Sequence, residues 1–225
     1  MKKITTQNNF NYLFFALLTL LFATALLGVL QQAWVQTLLD VIILGVFVIG
    51  TYSVRTERNW IWAVGTMFVL LLSISILHQF LPETLATAIH LSIILLFFVG
   101  SFLLSYKQIL MVRNVNQNIM VGSVVLYLLL GLIWAMIYLL ILLFFPDAFN
   151  GLESLAWQEN FSRVAYYSFV TLTTLGYGDI SPKNSIAEFF VYLQTIVGVF
   201  YMAIIVSTLV SSRLAQLQNT PQTDD

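Results

Sequence analysis

Apolar residues run along this chain in long unbroken blocks, and polar residues collect in the gaps between them. Six blocks stand at roughly 10–30, 35–54, 60–79, 85–105, 119–145 and 185–212. The gaps hold Gln31-Gln32, the cluster Arg55-Thr56-Glu57-Arg58-Asn59, Pro82-Glu83, the stretch from Lys107 to Asn118, and the long segment 146–184. About twenty apolar residues cross the hydrocarbon core of a bilayer, so each block predicts a transmembrane helix. The fifth is long enough to tilt or to project past the lipid. The pattern predicts an all-α membrane protein with six transmembrane helices per subunit.

Segment 146–184 breaks the rule of short connections. Its second half, Phe161 to Leu172, is apolar and aromatic but only about twelve residues long, too short to cross and suited to a re-entrant helix. Asn160 or Ser162 can cap its start. Helix formation fails where the glycines of Thr173-Thr174-Leu175-Gly176-Tyr177-Gly178-Asp179 begin. Non-helical backbone at membrane depth is tolerated only where protein buries it or water meets it. Helix, re-entrant helix, extended loop, helix is the arrangement this stretch allows.

Composition supports the membrane class and removes others. The chain of 225 residues is 60% hydrophobic and 8% charged, with a mean hydropathy of +0.91; a soluble domain carries roughly 25% charged residues. A net charge of −1 points to no nucleic-acid partner. Without cysteine there is no disulfide framework and no thiolate metal site. No Ser/His/Asp grouping, metal-ligand cluster or phosphate loop suggests an enzyme.

With the N-terminus in the cytoplasm, Lys2, Lys3, Arg55, Arg58, Lys107, Arg113 and Arg213 lie inside, and only Arg163 and Lys183 lie outside. That bias predicts a multi-pass protein with both termini cytoplasmic. The first block is about twice the length of a signal-peptide core and reads as a span. The chain divides into a four-helix unit (1–106), a polar cytoplasmic linker (107–118), a second helical unit (119–213) and a short cytoplasmic tail (214–225). The short ends predict no appended regulatory domain.

The seven-residue string carries the chemistry. Gly176 and Gly178 can adopt positive φ without a Cβ penalty. Alternating them with ordinary residues lets successive carbonyls point the same way, which a regular strand forbids. TTLGYGD resembles the selectivity filter of the potassium channel family, whose consensus is TTVGYGD or a close variant. Asp179-Ile180-Ser181-Pro182 is similar to that family's exit from the filter. The resemblance is specific over about 161–212 and architectural over 1–118.

It implies a homotetramer, three further copies of the chain closing a pore in the plasma (inner) membrane. It implies K+ ligands at the carbonyls of Thr174, Leu175, Gly176 and Tyr177 and the Thr174 hydroxyl, with Gly178 completing the filter. Filter support falls to Thr173, Asp179, Tyr166, Tyr167 and Val170, the two tyrosines forming an aromatic wall behind Tyr177. Val170 stands where some members carry a glutamate. Gly198 reads either as a gating hinge or as a packing contact between helices. Thr195, Met202 and Val206 face the cavity around it. No cofactor is expected beyond K+ as the permeant ion. The alternatives are a weakly selective cation channel and a potassium transporter subunit; transporters built from such loops usually carry four degenerate copies in one long chain.

Two further features bear on control. Between Leu85 and Tyr106 there is no Lys or Arg. Moving one charge through 100 mV is worth about 2.3 kcal/mol, so steep voltage sensing needs several charges there. Asp40 is the one acid well inside a span, and His90 lies at similar depth. The two read either as a proton-sensitive pair or as residues of a wet outer crevice.

Overall fold

A computed structural model describes residues 9–27, 41–46, 48–50, 58–77, 81–110, 117–152 and 156–218. They form α1 (Asn9–Leu27), α2 (Val41–Gly50), α3 (Arg58–Leu77), α4 (Glu83–Leu110), α5 (Gln117–Phe144), β1 (Phe149–Asn150), α6 (Trp157–Leu172), β2 (Ser181–Pro182) and α7 (Ser185–Gln218). Among the described residues, α1, α4, α5 and α7 are long and apolar enough to cross a membrane. The blocks at 35–54 and 60–79 correspond to shorter apolar helices, Val41–Gly50 and, within α3, Trp60–Leu71.

Several boundaries differ from those the polar gaps suggest. The expected linker 107–118 is helical at both ends, because α4 continues to Leu110 and α5 begins at Gln117. Helix α7 has 34 residues and runs to Gln218, past the expected start of the tail at 214. At 1.5 Å per residue it is about 51 Å long, more than the ~30 Å hydrocarbon core needs.

Helix α5 is the hub of the chain, with α1, α4, α6 and α7 all packed on it. Its two ends are fixed differently. At its start, the buried Asn118 donates from Nδ2 to Asn9 Oδ1 at 2.9 Å, and Asn9 Nδ2 donates to Gln108 Oε1 at 3.1 Å. This polar clasp ties α1, α4 and α5 together where apolar packing alone would let them slide. Toward its other end, the Tyr138 ring meets Tyr167 of α6 and Phe149 of β1, with centroids 5.3 and 5.4 Å apart.

Segment 146–184 is more ordered than a loop. Phe149 pairs with Pro182 and Asn150 with Ser181 in an antiparallel ladder of two residues each. Lys183 N–H adds a 2.7 Å bond to the Ala148 carbonyl. The chain before α6 is thereby laced to the chain that leaves the TTLGYGD turn. Arg163 of α6 reinforces the lace, its guanidinium donating to the Gly151 carbonyl at 2.7 Å.

Candidate functional site

Helix α6 is sixteen residues long and starts at Trp157, four residues before the expected Phe161. The capping expectation is corrected: the N-cap is Ala156 with no side-chain cap, and Asn160 and Ser162 lie inside the helix. Glu159 sits in the first turn, where a carboxylate complements the helix dipole. The Trp157 ring packs on Phe161 at 6.4 Å, and this apolar contact anchors the extra turn.

At the other end, α6 stops at Leu172 and its last carbonyls catch the chain that follows. Thr173 N–H bonds to the Phe169 carbonyl and Thr174 N–H to that of Thr171, at 3.0 and 2.9 Å. Leu175 and Gly176 N–H both reach the Val170 carbonyl, at 3.0 and 3.3 Å. The Thr173 hydroxyl donates to the carbonyls of Phe169 and Val170. The turn therefore hangs from the C-terminal carbonyls of a short helix, with Val170 buried beneath it.

Beyond this anchorage the backbone alternates. φ is +60° at Thr174, +55° at Gly176 and +82° at Gly178, so every second residue from 174 to 178 is left-handed. The glycines were expected to take that conformation; Thr174 extends the alternation by one step. A β-branched residue at positive φ is a genuine outlier. Such strain costs of order 1–3 kcal/mol and persists only where the surroundings enforce it. Here the bonds to Val170 and Thr171 on either side enforce it.

Residues 173–179 are all exposed in the single chain. Leu175 is 55% and Tyr177 67% exposed, large apolar surfaces that this subunit does not cover. Asp179, at the far end of the turn, lies near the Tyr166 hydroxyl. Tyr166 and Tyr167 do not form a common wall. Tyr166 is exposed and faces the turn, whereas Tyr167 is buried against Tyr138 and Phe149. One residue of helix rotates a side chain by about 100°, which sends neighbours to different surroundings.

The residues expected on α7 are placed as follows. Gly198 is buried, and a Cβ built on it would overlap the backbone carbonyl oxygen of Leu172. In this structure it is a contact glycine that lets α7 pass under the end of α6. Thr195 is half-buried, with its hydroxyl bonded to the Val191 carbonyl at 3.0 Å. Met202 is exposed. Val206 lies on α7, its side chain outside the described residues. Asp40 also lies outside the described residues. His90 packs on Trp157, ring centroids 5.2 Å apart, and so meets the start of α6.

A buried polar group joins α5, α6 and α7 that the sequence reading did not single out. Gln194 Nε2 donates to the Ser168 carbonyl and to Ser168 Oγ, both at 2.9 Å. Tyr138 hydroxyl donates to Gln194 Oε1. Ser168 Oγ donates in turn to the Gly131 carbonyl at 2.7 Å. A glutamine amid the apolar run 185–212 was the available signal, since polar side chains inside a span need partners.

Comparison with known proteins agrees with this geometry. Residues 123–212 match a family described as "Ion channel". Over 96 residues the chain is 33% identical to "Two-pore potassium channel 4" of Arabidopsis thaliana, covering 39% of this chain and 32% of that protein. The chain thus spans about a third of the length of the curated relative it matches. No solved structure matches. The matched residues take in most of α5, all of α6, the TTLGYGD turn and most of α7, so the similarity to the ion-channel family falls on the candidate site, in keeping with the potassium-channel resemblance of its central turn.

Proposed function

We propose that the protein is a potassium-selective channel, a homotetramer in which four TTLGYGD turns ring one axis and pass K+ passively down its gradient. The alternating left-handed backbone at Thr174, Gly176 and Gly178 carries this reading. Leaving water costs the ion its hydration shell, and rings of carbonyl oxygens replace that shell without binding as tightly as carboxylates, as potassium channels do. A seven-residue turn cannot encircle an ion, so several copies must meet. The uncovered Leu175 and Tyr177, and the exposed face of α7 at Phe189, Tyr192, Ile196 and Val199, are the surfaces that neighbouring copies and lipid would cover.

In this reading α6 is the pore helix, presenting about half a negative charge at its C-terminus toward the cavity below. The carbonyls of Thr174, Leu175, Gly176 and Tyr177 are the ligands. Residues 119–213 form the pore unit, and 1–106 a sensor-like unit completing six spans. Seven of nine basic residues then lie inside, which puts both termini in the cytoplasm and suits a plasma (inner) membrane channel.

Reversal potentials of the reconstituted protein under opposed KCl and NaCl gradients test the proposal. The current should reverse close to the potassium equilibrium potential, and the detergent-solubilised mass should be that of four chains. Equal permeability to the two ions would overturn the selectivity, and a stable monomer or dimer the pore. Helix α4 carries Lys107 in its last turn and no Lys or Arg before it. Open probability should therefore change little from −100 to +100 mV; steep activation in that range would show that charge moves elsewhere.

A further inference from the structure

We propose that Gln194 is a positioning residue for ion selection: its amide holds α6 at one height against α7 and so sets where the carbonyls of the TTLGYGD turn lie. The inference rests on the channel reading above. Gln194 is fully buried at 0% exposure on a helix of otherwise apolar surroundings. Its amide oxygen and nitrogen have opposite requirements. The Ser168 carbonyl can only accept, so Nε2 must face α6, which leaves Oε1 for the Tyr138 hydroxyl. Ser168 Oγ passes the connection on to the Gly131 carbonyl of α5. Three helices are thereby joined in one definite register.

A second contact lies one turn further along both helices. Ser168 precedes Leu172 by four residues and Gln194 precedes Gly198 by four, and Gly198 passes directly under the Leu172 carbonyl. Sliding α7 along α6 would break the amide bonds at the first contact and drive a bulkier residue into the second. The load-transfer path to the turn is short: Thr174 N–H hangs on the Thr171 carbonyl, and Leu175 and Gly176 N–H hang on that of Val170. A shift at Ser168 reaches these acceptors within one helical turn.

Stability alone does not call for this arrangement. Replacing all members of a buried polar group by apolar side chains of similar shape is often neutral or stabilising, whereas removing one member strands its partners. What three apolar residues cannot supply is a unique register. The two roles separate in the full-length tetramer with two variants, Gln194→Met and the triple variant Gln194→Met/Ser168→Ala/Tyr138→Phe. Methionine keeps the length and flexibility of glutamine. Thermal stability and the K+/Na+ permeability ratio are measured on the same preparations. In Gln194→Met both should fall, the ratio by about tenfold, the scale of one net hydrogen bond's free energy. In the triple variant stability should return while the ratio stays low. A ratio equal to wild type in either variant, or one that recovers in step with stability, would overturn the inference. If Gln194→Met fails to assemble, the triple variant decides alone. A wild-type protein that does not discriminate K+ from Na+ would instead overturn the channel reading.

Discussion

Gly178→Ala is expected to abolish potassium-selective current and to leave the proposed tetramer folded. The two halves of that result have separate causes. A Cβ at Gly178 meets nothing within 4 Å in its own chain, so no side chain is displaced and no helix is disturbed. The obstacle is the backbone itself, held at φ +82°. An L-residue in the left-handed region costs roughly 1–2 kcal/mol, and in the proposed tetramer four copies would raise that to about 4–8 kcal/mol. Alanine relieves the strain by returning to negative φ, which tilts the peptide plane shared with Tyr177 and swings the Tyr177 carbonyl off the axis. Reversal potentials and K+-dependent thermal stabilisation would both report the loss, with mass in detergent confirming assembly. Retained selectivity would remove the carbonyls of this turn as the ion ligands.

The turn's conformation was legible at Gly176 and Gly178 because glycine advertises positive φ. Thr174 gave no such sign: its left-handed backbone follows from the carbonyls of Val170 and Thr171 on the helix before it. The helix ends show the same limit. The apolar blocks located α1, α4, α5 and α7 well because burial in lipid needs no periodicity and no partner. The start of α6 was misplaced because Trp157-Gln158-Glu159-Asn160 reads as polar loop and Ala156 is no capping signal. Only tertiary contacts decide it, those of Trp157 with Phe161 and His90. The β1–β2 ladder is two residues per strand, too short for any alternation to show.

Side-chain direction was the least legible property. Tyr166 and Tyr167 are identical in type and adjacent in sequence, yet one faces Asp179 and the other fills the space between Tyr138 and Phe149. Arg163, which reads as an ordinary outer-loop charge, spends its guanidinium on the Gly151 carbonyl. In each case the partner lies on another element at a separation that no local pattern encodes. The reverse holds for Gln194, whose presence in an apolar span was a visible anomaly but whose partners on α5 and α6 were not.

Gly198→Ala separates the two readings of that glycine, and the contact reading predicts a loss of selectivity. Alanine favours a helix interior over glycine by about 1 kcal/mol, so helix α7 by itself would gain. Against that, the new Cβ overlaps the Leu172 backbone oxygen and lies 3.0 Å from Leu172 Cδ1. Overpacking of this kind costs about 1–3 kcal/mol, enough to outweigh the gain. The overlap relaxes by moving α7 or the end of α6, and α6 ends two residues before Thr174. A hinge would behave otherwise: stiffening it lowers the frequency of opening and leaves the open pore as selective as before. Single-channel records and reversal potentials on the same patches distinguish the two, a reduced K+/Na+ ratio favouring the contact and an unchanged ratio with rarer openings favouring the hinge. Adding Leu172→Ala sharpens the test. It removes the Cδ1 contact but not the carbonyl, so selectivity should stay impaired in the double variant; full rescue would place the obstacle in the leucine side chain instead of the backbone that carries the turn.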